Sequence, residues 1–443
     1  MRITIDPFEG DAELPAKSEV VVIGGGIIGV TTALFLALRG VEVTLCEKGG
    51  IAQEQSGRNW GWVRVMGRDP GEIPLGLVSQ TLWEKMSELT NAELGFRRAG
   101  ILYVADTEKE LAAQVAWLDH AKIYGIESRV LRGAQLEALI PGVRRRFVGG
   151  LYTPADARAE PQKAVPAMAE VARRFGARIL TNCAVRGLET KAGQVSGVVT
   201  ERGAIACSTV VLAGGAWSRL FLGNLGIDFP QLKLLGSVLR TEPLEGPPTL
   251  AVGGSDFAFR KRLDGGYSVA RRNASVAEVV PDSFRLFADF FPSLVKQRGE
   301  LRLRVGRRFI EEASLARRWQ LDERTPFEQV RALDPEPSQG LLDEGLANVK
   351  AAFPAFAEAR VAGAWGGLVD AMPDAVPVIG WVPRYPGLLI ASGFSGHGFG
   401  IGPGAGHLVA DLVTGAKPIV DPLPYRPERF PRLARTIGVG RAA

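Results

Sequence analysis

The sequence predicts an α/β protein in which a Rossmann-like domain is interleaved along the chain with an α+β domain built on an antiparallel sheet. Three observations carry that expectation. A strand, three glycines, a helix and a second strand follow one another over residues 18–48. Short apolar strands alternate with helical patterns through 150–225 and return near the C-terminal end. Between them, from about Phe229 to Val305, the composition turns to antiparallel β signals, with a hairpin turn at Asp264-Gly265-Gly266.

The first element is Val20–Ile23, a β-branched run suited to a strand buried on both faces. Gly24, Gly26 and Gly29 follow as G-x-G-x-x-G, Val30–Arg39 reads as a helix, and Gly40 breaks it. Val41–Cys46 is the second strand and ends at Glu47, eighteen residues beyond Gly29. The first glycine permits the tight turn, the second lets backbone approach a pyrophosphate, and the third lets helix and strand pack closely. The anion sits on unpaired N–H groups at the helix start, and a carboxylate at Glu47 can accept bonds from ribose hydroxyls. Strand, glycines, helix, strand and acid in that order point to an adenine dinucleotide.

The remaining bulk properties narrow the class. A chain of 443 residues is too long for one simple core. A hydrophobic content of 46% with 23% charged residues describes an ordinary globular protein. Cys46, Cys183 and Cys207 are widely spaced and odd in number, which argues against a disulfide framework; no Cys/His cluster suggests a metal. The net charge of +5 comes with dispersed arginines, modestly concentrated at Arg302, Arg304, Arg307 and Arg308, so no nucleic-acid partner is expected. The longest apolar run, Ile27–Leu38, is too short to span a bilayer, and residues 1–17 lack a signal-peptide core. A cytoplasmic location is expected, with peripheral contact to the inner membrane left open.

Farther along, Gly49–Arg68 is a glycine-rich, aromatic loop of the kind that serves a ligand. Leu75–Leu94, Glu108–Tyr124 and Leu131–Leu139 read as helices, and Gly100–Val104 and Gly149–Thr153 as strands. Glu160–Phe175 is helical with Pro161 in its first turn. Ala177–Cys183, Val185–Leu188, Val195–Thr200, Ala204–Cys207 and Val210–Ala213 are short strands. The next candidates are Gly236–Thr241, Phe257–Leu263 and Tyr267–Ala270, then a helix over Asp282–Phe290 and a strand over Leu301–Arg308. Val361–Val369 and Leu388–Ser392 are strands, and Ala405–Leu412 opens the last helix. A buried helix face accounts for Phe284, Phe287, Phe290 and Phe291, with membrane contact as the alternative.

In one order, the nucleotide-binding start, Ser56-Gly57-Arg58-Asn59, Ala213–Ser218, Pro373–Gly380 and Gly396-His397-Gly398-Phe399-Gly400 resemble the D-amino acid oxidase (DAO) superfamily of FAD-dependent oxidoreductases. That family includes glycine and sarcosine oxidases and D-amino acid, opine and hydroxyproline dehydrogenases. The resemblance implies an FAD-binding domain over 18–80, 150–225 and 345–430, and a substrate domain over 81–149 and 226–344. It implies cofactor contacts at Gly24, Gly26, Ile28, Gly29, Glu47 and Lys48, then at Ser56, Gly57, Arg58, Asn59 and Gly61. Val185 would serve the adenine, Ala213 and Gly214 would pass beside the dinucleotide, and Gly396, His397, Gly398, Phe399 and Gly400 would reach the flavin N1/O2 edge. A helix start there would stabilise the negative charge of reduced flavin.

One departure stands out. Glycine oxidases carry an Arg before the Pro-Asp segment to clamp the substrate carboxylate, whereas this chain reads Trp365-Gly366-Gly367-Leu368-Val369-Asp370-Ala371-Met372. A buried carboxylate needs a bidentate cation. Arg271 and Arg272 are the first replacements, followed by Arg64 and Arg308. The expected catalytic residues are Arg271, His397, Asp370 and Trp365, with Asp370 inclined toward capping a turn and Trp60, Trp62 and Trp365 as aromatic walls. The implied reaction is oxidation of the C–N bond of an amino acid or secondary amine, hydride passing to flavin N5 and the imine hydrolysing to a carbonyl product. Dioxygen or a quinone would reoxidise the flavin. The alternatives are a 2-hydroxy acid oxidoreductase on the same fold, a flavin subunit of a multi-subunit dehydrogenase, and a nicotinamide enzyme.

Overall fold

The computed structural model describes residues 3–296 and 299–439. Its centre is a six-stranded sheet in the spatial order 378–381, 388–392, 209–212, 20–23, 43–46 and 178–180. Every neighbouring pair is parallel except the first. Its strands are almost wholly buried, as β-branched runs covered on both faces must be. The first helix, Ile27–Ala37, begins three residues earlier than its periodicity suggests, because the glycine turn leads directly into it. Beside it lies Gly398–Thr414, which extends seven residues N-terminal of the expected start at Ala405. The two approach closely enough for the Thr31 hydroxyl to donate to the Gly402 carbonyl at 3.1 Å. A Cβ at Gly406 would lie 2.3 Å from the Thr31 hydroxyl oxygen, so the late glycines act as packing residues.

The second body is a ten-stranded, mainly antiparallel sheet. Leu232–Thr241 runs through its middle, flanked by Tyr267–Ala270, Ser275–Glu278 and the long strand Val361–Ala371. The sheet continues through 258–261, 251–253, 101–105, 149–153 and 129–131. Three expectations need correction here. The boundary at 149/150 splits Gly149–Thr153, which pairs with Ile101–Ala105 in this sheet. The boundary at 344/345 splits the Gln339–Ala352 helix, which packs against the same sheet. Val361–Ala371, placed in the cofactor domain, pairs along almost its whole length with Leu232–Thr241. Apolar alternation marks a strand but does not say which sheet receives it.

Two local readings also change. Leu301–Arg308 is a strand only to Arg304 and becomes a helix at Arg307–Ser314. Leu131–Leu139 is a strand ending at Leu131 followed by a helix over Gly133–Leu139. The Phe284, Phe287 and Phe291 rings are exposed, and the Phe287–Lys296 helix buries none of its residues. Its apolar face is therefore not a core face.

A buried ion pair joins the two bodies. Arg260, on the antiparallel sheet, binds Glu160 with two bonds of 2.7 and 2.9 Å, and also donates to the Trp60 carbonyl. Glu160 immediately precedes the Pro161–Arg174 helix, which packs on Ile27–Ala37. Burial pulls the Glu160 carboxyl up, but Arg260 and Arg262 outweigh it and hold the group at about 2.

Candidate active site

A cavity of about 570 Å³ lies between the two bodies. At one end it is walled by main chain. Gly24 has φ +111°, and a Cβ there would lie 2.4 Å from the Ala213 carbonyl oxygen, so the turn admits no side chain. Gly26 and Ile28 also face the cavity, as do Val185, Ala213 and Gly214. Gly29 does not; its missing side chain lets the helix sit against the Gly24 carbonyl, 1.9 Å from an ideal Cβ. Glu47 accepts from the Gly25 amide at 2.6 Å and the Gly49 amide at 2.7 Å. Burial raises its carboxyl above the usual range, against the pull of Lys48 and those two amides.

The middle is formed by the loop after the second strand. The Ser56 hydroxyl accepts from the Ile27 amide at 2.8 Å, fixing the start of the first helix. Asn59 donates to the Gln55 and Ser56 carbonyls and accepts from the Gly61 amide. Lys48 and Arg58 line the cavity, but their charges are engaged. Lys48 binds Glu54 and the Val330 and Arg331 carbonyls, while Arg58 binds Asp334 and the Gly366 carbonyl. Gly57 and Gly61 lie off the cavity wall: a Cβ on Gly57 would meet Ile5 and the Ala52 carbonyl, and one on Gly61 the Ala159 carbonyl.

At the far end Gly396, His397, Gly398, Phe399 and Gly400 reach the cavity at the start of the Gly398–Thr414 helix. His397 Nδ1 lies 3.1 Å from the fully buried Glu72. Enclosure in the wall, with the Arg68 charge behind it, pushes the imidazole below its ordinary pKa despite Glu72. Glu72 itself is held below the usual range by His397 and Arg68, which overcome its burial.

Asp370 is 2% exposed, and its carboxylate accepts from the Gly393 and Phe394 amides and the Gln231 side chain. It therefore ties down the loop that precedes His397. Burial lifts its carboxyl to about 6 against those amides. Trp365 is a correction: its ring is outside the cavity wall and its indole donates to the Arg58 carbonyl at 2.9 Å. Trp60 and Trp62 do line the cavity.

Three candidate arginines from other segments, Arg271, Arg272 and Arg64, line the cavity. Arg308 does not, and pairs instead with Glu278 and Glu312. Arg271 sits 3.5 Å from Glu344 and donates to the Ser255 carbonyl. Arg272 lies 4.1 Å from the centre of the Tyr103 ring and donates to the Gly254 carbonyl. Arg64 lies 5.7 Å from the same ring. The sequence reading missed Arg68, Glu72, Tyr103 and Gln55, all but Glu72 on the cavity wall. The R-x-x-x-R spacing of Arg64 and Arg68 within a glycine-rich loop was the available signal.

The glycine cradle, the Glu47 carboxylate and the long cavity that continues to a helix start fit an extended dinucleotide such as FAD. A family model described as "FAD dependent oxidoreductase" (DAO) matches residues 19–412. The chain is 35% identical to the L-amino acid deaminase from Proteus myxofaciens, solved with anthranilate, at a TM-score of 0.93 over 97% of both chains. It is 25% identical to the L-proline dehydrogenase from P. horikoshii, at a TM-score of 0.77 over 95% of this chain and 99% of that one. Glycine oxidase from Pseudomonas putida is 27% identical over 93% of this chain and 99% of its own length.

Proposed function

The chain belongs to the DAO family of FAD-dependent oxidoreductases, and from that premise we propose that it oxidises the C–N bond of an α-amino acid to an imine, which water converts to the oxo acid. Bound FAD would supply the two-electron acceptor. The Gly24 turn, Glu47 and the Ile27 helix start would hold its nucleotide half, and the Gly398 helix start its ring end. The observation that carries the substrate class is the arginine-lined far end of the cavity. Arg272 is fixed by Tyr103 and Gly254, and no carboxylate among the described residues pairs with it, so its guanidinium is available to a substrate carboxylate. Arg271 shares its charge with Glu344 and serves as a support.

His397 is neutral near pH 7 on this reading, since its pKa is lowered. The positive end at the ring is then the helix start, a contribution on the order of 0.3–2 kcal/mol. Asp370, which lines the cavity, acts by positioning the 393–397 loop. Anaerobic titration of the yellow holoenzyme with a panel of amino acids and secondary amines tests the assignment. It is wrong if no member of the panel bleaches the flavin.

The electron acceptor in this reading is a quinone reached at a membrane surface. Among the described residues no helix is long and apolar enough to cross a membrane. The segment 281–314 nevertheless exposes Phe284, Phe287, Phe291, Val295, Leu303 and Ile310, interspersed with Arg285, Lys296 and Arg307. Apolar side chains rimmed by cations suit the interface of an anionic bilayer. Flotation with vesicles of anionic phospholipid should carry the protein upward, and Phe287→Ser with Phe291→Ser should weaken it. Turnover with dioxygen and no flotation would assign the acceptor to dioxygen instead.

A further inference from the structure

We infer that the cavity is built for an amino acid bearing two carboxylates, Arg272 taking one and the Arg64–Arg68 pair the other; this deepens the amino acid reading above and rests on it. Arg68 is 4% exposed and lines the cavity, yet its Nη1 has no hydrogen-bond partner. Among the described residues no carboxylate lies within 4.0 Å of Arg64, Arg68 or Arg272, whereas Arg186, Arg219, Arg260, Arg308 and Arg331 each have one. The two acids whose charge reaches Arg68, Glu72 and Asp156, make no direct ion pair with it and spend their hydrogen bonds on other groups. Glu72 faces His397, and Asp156 accepts from the Val65 and Met66 amides and the Gln80 side chain. Burying a guanidinium with no direct ion pair is costly even with the Glu72 and Asp156 charges nearby, and a bound carboxylate would offset that cost. Consistent with that, burial and the neighbouring Arg64 lower the Arg68 pKa to about 9.

The loop that presents these cations is preorganised at every turn. Asp156 holds its Val65 and Met66 amides, the Trp117 indole donates to the Arg68 carbonyl at 2.9 Å, and the Tyr425 hydroxyl donates to the Gly71 carbonyl at 2.6 Å. Arg64 and Arg272 lie against one phenol ring, that of Tyr103. Two cationic stations sharing one ring match two carboxylates joined by a short carbon chain. Fixing the cations before binding removes most of the ordering cost of a bidentate contact. A neutral side chain would leave the Arg68 Nη1 without a hydrogen-bond partner, so the same device selects against it.

The test uses the FAD-loaded enzyme and matched pairs: aspartate against asparagine and glutamate against glutamine, each as both enantiomers, read as kcat/KM for flavin reduction. The dicarboxylate should be preferred at least tenfold in one enantiomeric series. Arg68→Met should cut that preference at least tenfold, and Arg68→Lys should keep part of it. In parallel, succinate and butyrate are titrated against the flavin absorption band of the wild-type enzyme, which needs no turnover and no variant. Succinate should bind more tightly. Amides turned over as well as acids, a preference unmoved by Arg68→Met, or succinate binding no tighter than butyrate would each overturn the inference while leaving amino acid oxidation standing. If no member of either pair reduces the flavin but succinate still outbinds butyrate, the subsite survives and the amino acid reading does not.

Discussion

At the Gly24 end of the cavity the wall is mostly main chain: glycines, amide groups and one carboxylate, Glu47, from residues 23–50, closed by Val185 and Ala213–Gly214. At the Tyr103 end the wall is side chain. Arg64 and Arg68 come from one loop, Tyr103 from the antiparallel sheet, Arg272 from the far end of a hairpin strand and His397 from a helix start. A nucleotide is recognised through phosphate and ribose, which bare amides can meet, so one contiguous motif supplies most of that end. A substrate is discriminated by placing a few charges in a dry volume, which requires groups from distant segments. The first end tolerates almost no change in shape, and the second is tuned by charge.

That contrast can be broken at its strongest point first. Gly24→Val puts a side chain at φ +111° and into the Ala213 carbonyl. The purified variant should lose flavin absorption altogether and fail to take up added FAD. A yellow Gly24→Val protein would mean that the nucleotide end is not where it is placed here.

Asp156→Asn comes next. Burial raises the Asp156 carboxyl to about 6 from 3.8, so ionisation opposes folding. The penalty is absent below the unfolded value, grows between about pH 4 and 6, and is complete above. The gap of roughly 2 units corresponds to up to about 3 kcal/mol. Relative to wild type, the variant should therefore gain stability by up to that amount on going from pH 4 to pH 7.5, whatever constant cost the lost Met66 contact imposes. Denaturant unfolding at the two pH values measures it, and a flat difference would show that the carboxyl is not desolvated.

Arg272→Met should raise KM for every α-amino acid substrate by roughly tenfold to a hundredfold, since a bond to a charged group contributes about 1.5–3 kcal/mol. Flavin content should not change, which separates the two ends directly. Equal losses at Arg271→Met would show that the two arginines share the role.

The smallest effect is expected at Trp365→Phe. With its ring off the cavity wall, the substitution removes the bond to the Arg58 carbonyl and a few buried ring contacts, and nothing that faces the cavity. About 1 kcal/mol of stability should be lost, with kcat/KM changed less than about threefold, a shift well under 1.4 kcal/mol. A loss of two orders of magnitude in turnover would return Trp365 to the aromatic wall.

What could be read from the chain followed the range of the interactions involved. The parallel sheet and the glycine turn were legible because residues 20–47 carry their own geometry: β-branched strands, a helix between them and an acid at the end. His397 and Asp370 were visible as polar residues in glycine-rich segments, although only the folded chain shows Asp370 bonded to the 393–394 amides. Arg68 was passed over because an arginine in a loop is usually solvated, and nothing near it in sequence shows that Asp156, Trp117 and Tyr425 enclose the loop. The phenylalanines of 284–291 misled for the opposite reason: their spacing predicts a face, and spacing does not say whether anything covers it.

By itself the sequence determined the nucleotide turn, the order of strands and helices, and the absence of an arginine ahead of Pro373. Those depend on neighbours a few residues apart, where backbone sterics and periodicity act. Tertiary structure alone decided which arginines meet at Tyr103, which acids are already engaged, and that Arg68 is buried with its Nη1 unpaired. Charges separated by a hundred residues interact through space, and burial, which sets how strongly they do so, exists only once the chain has folded.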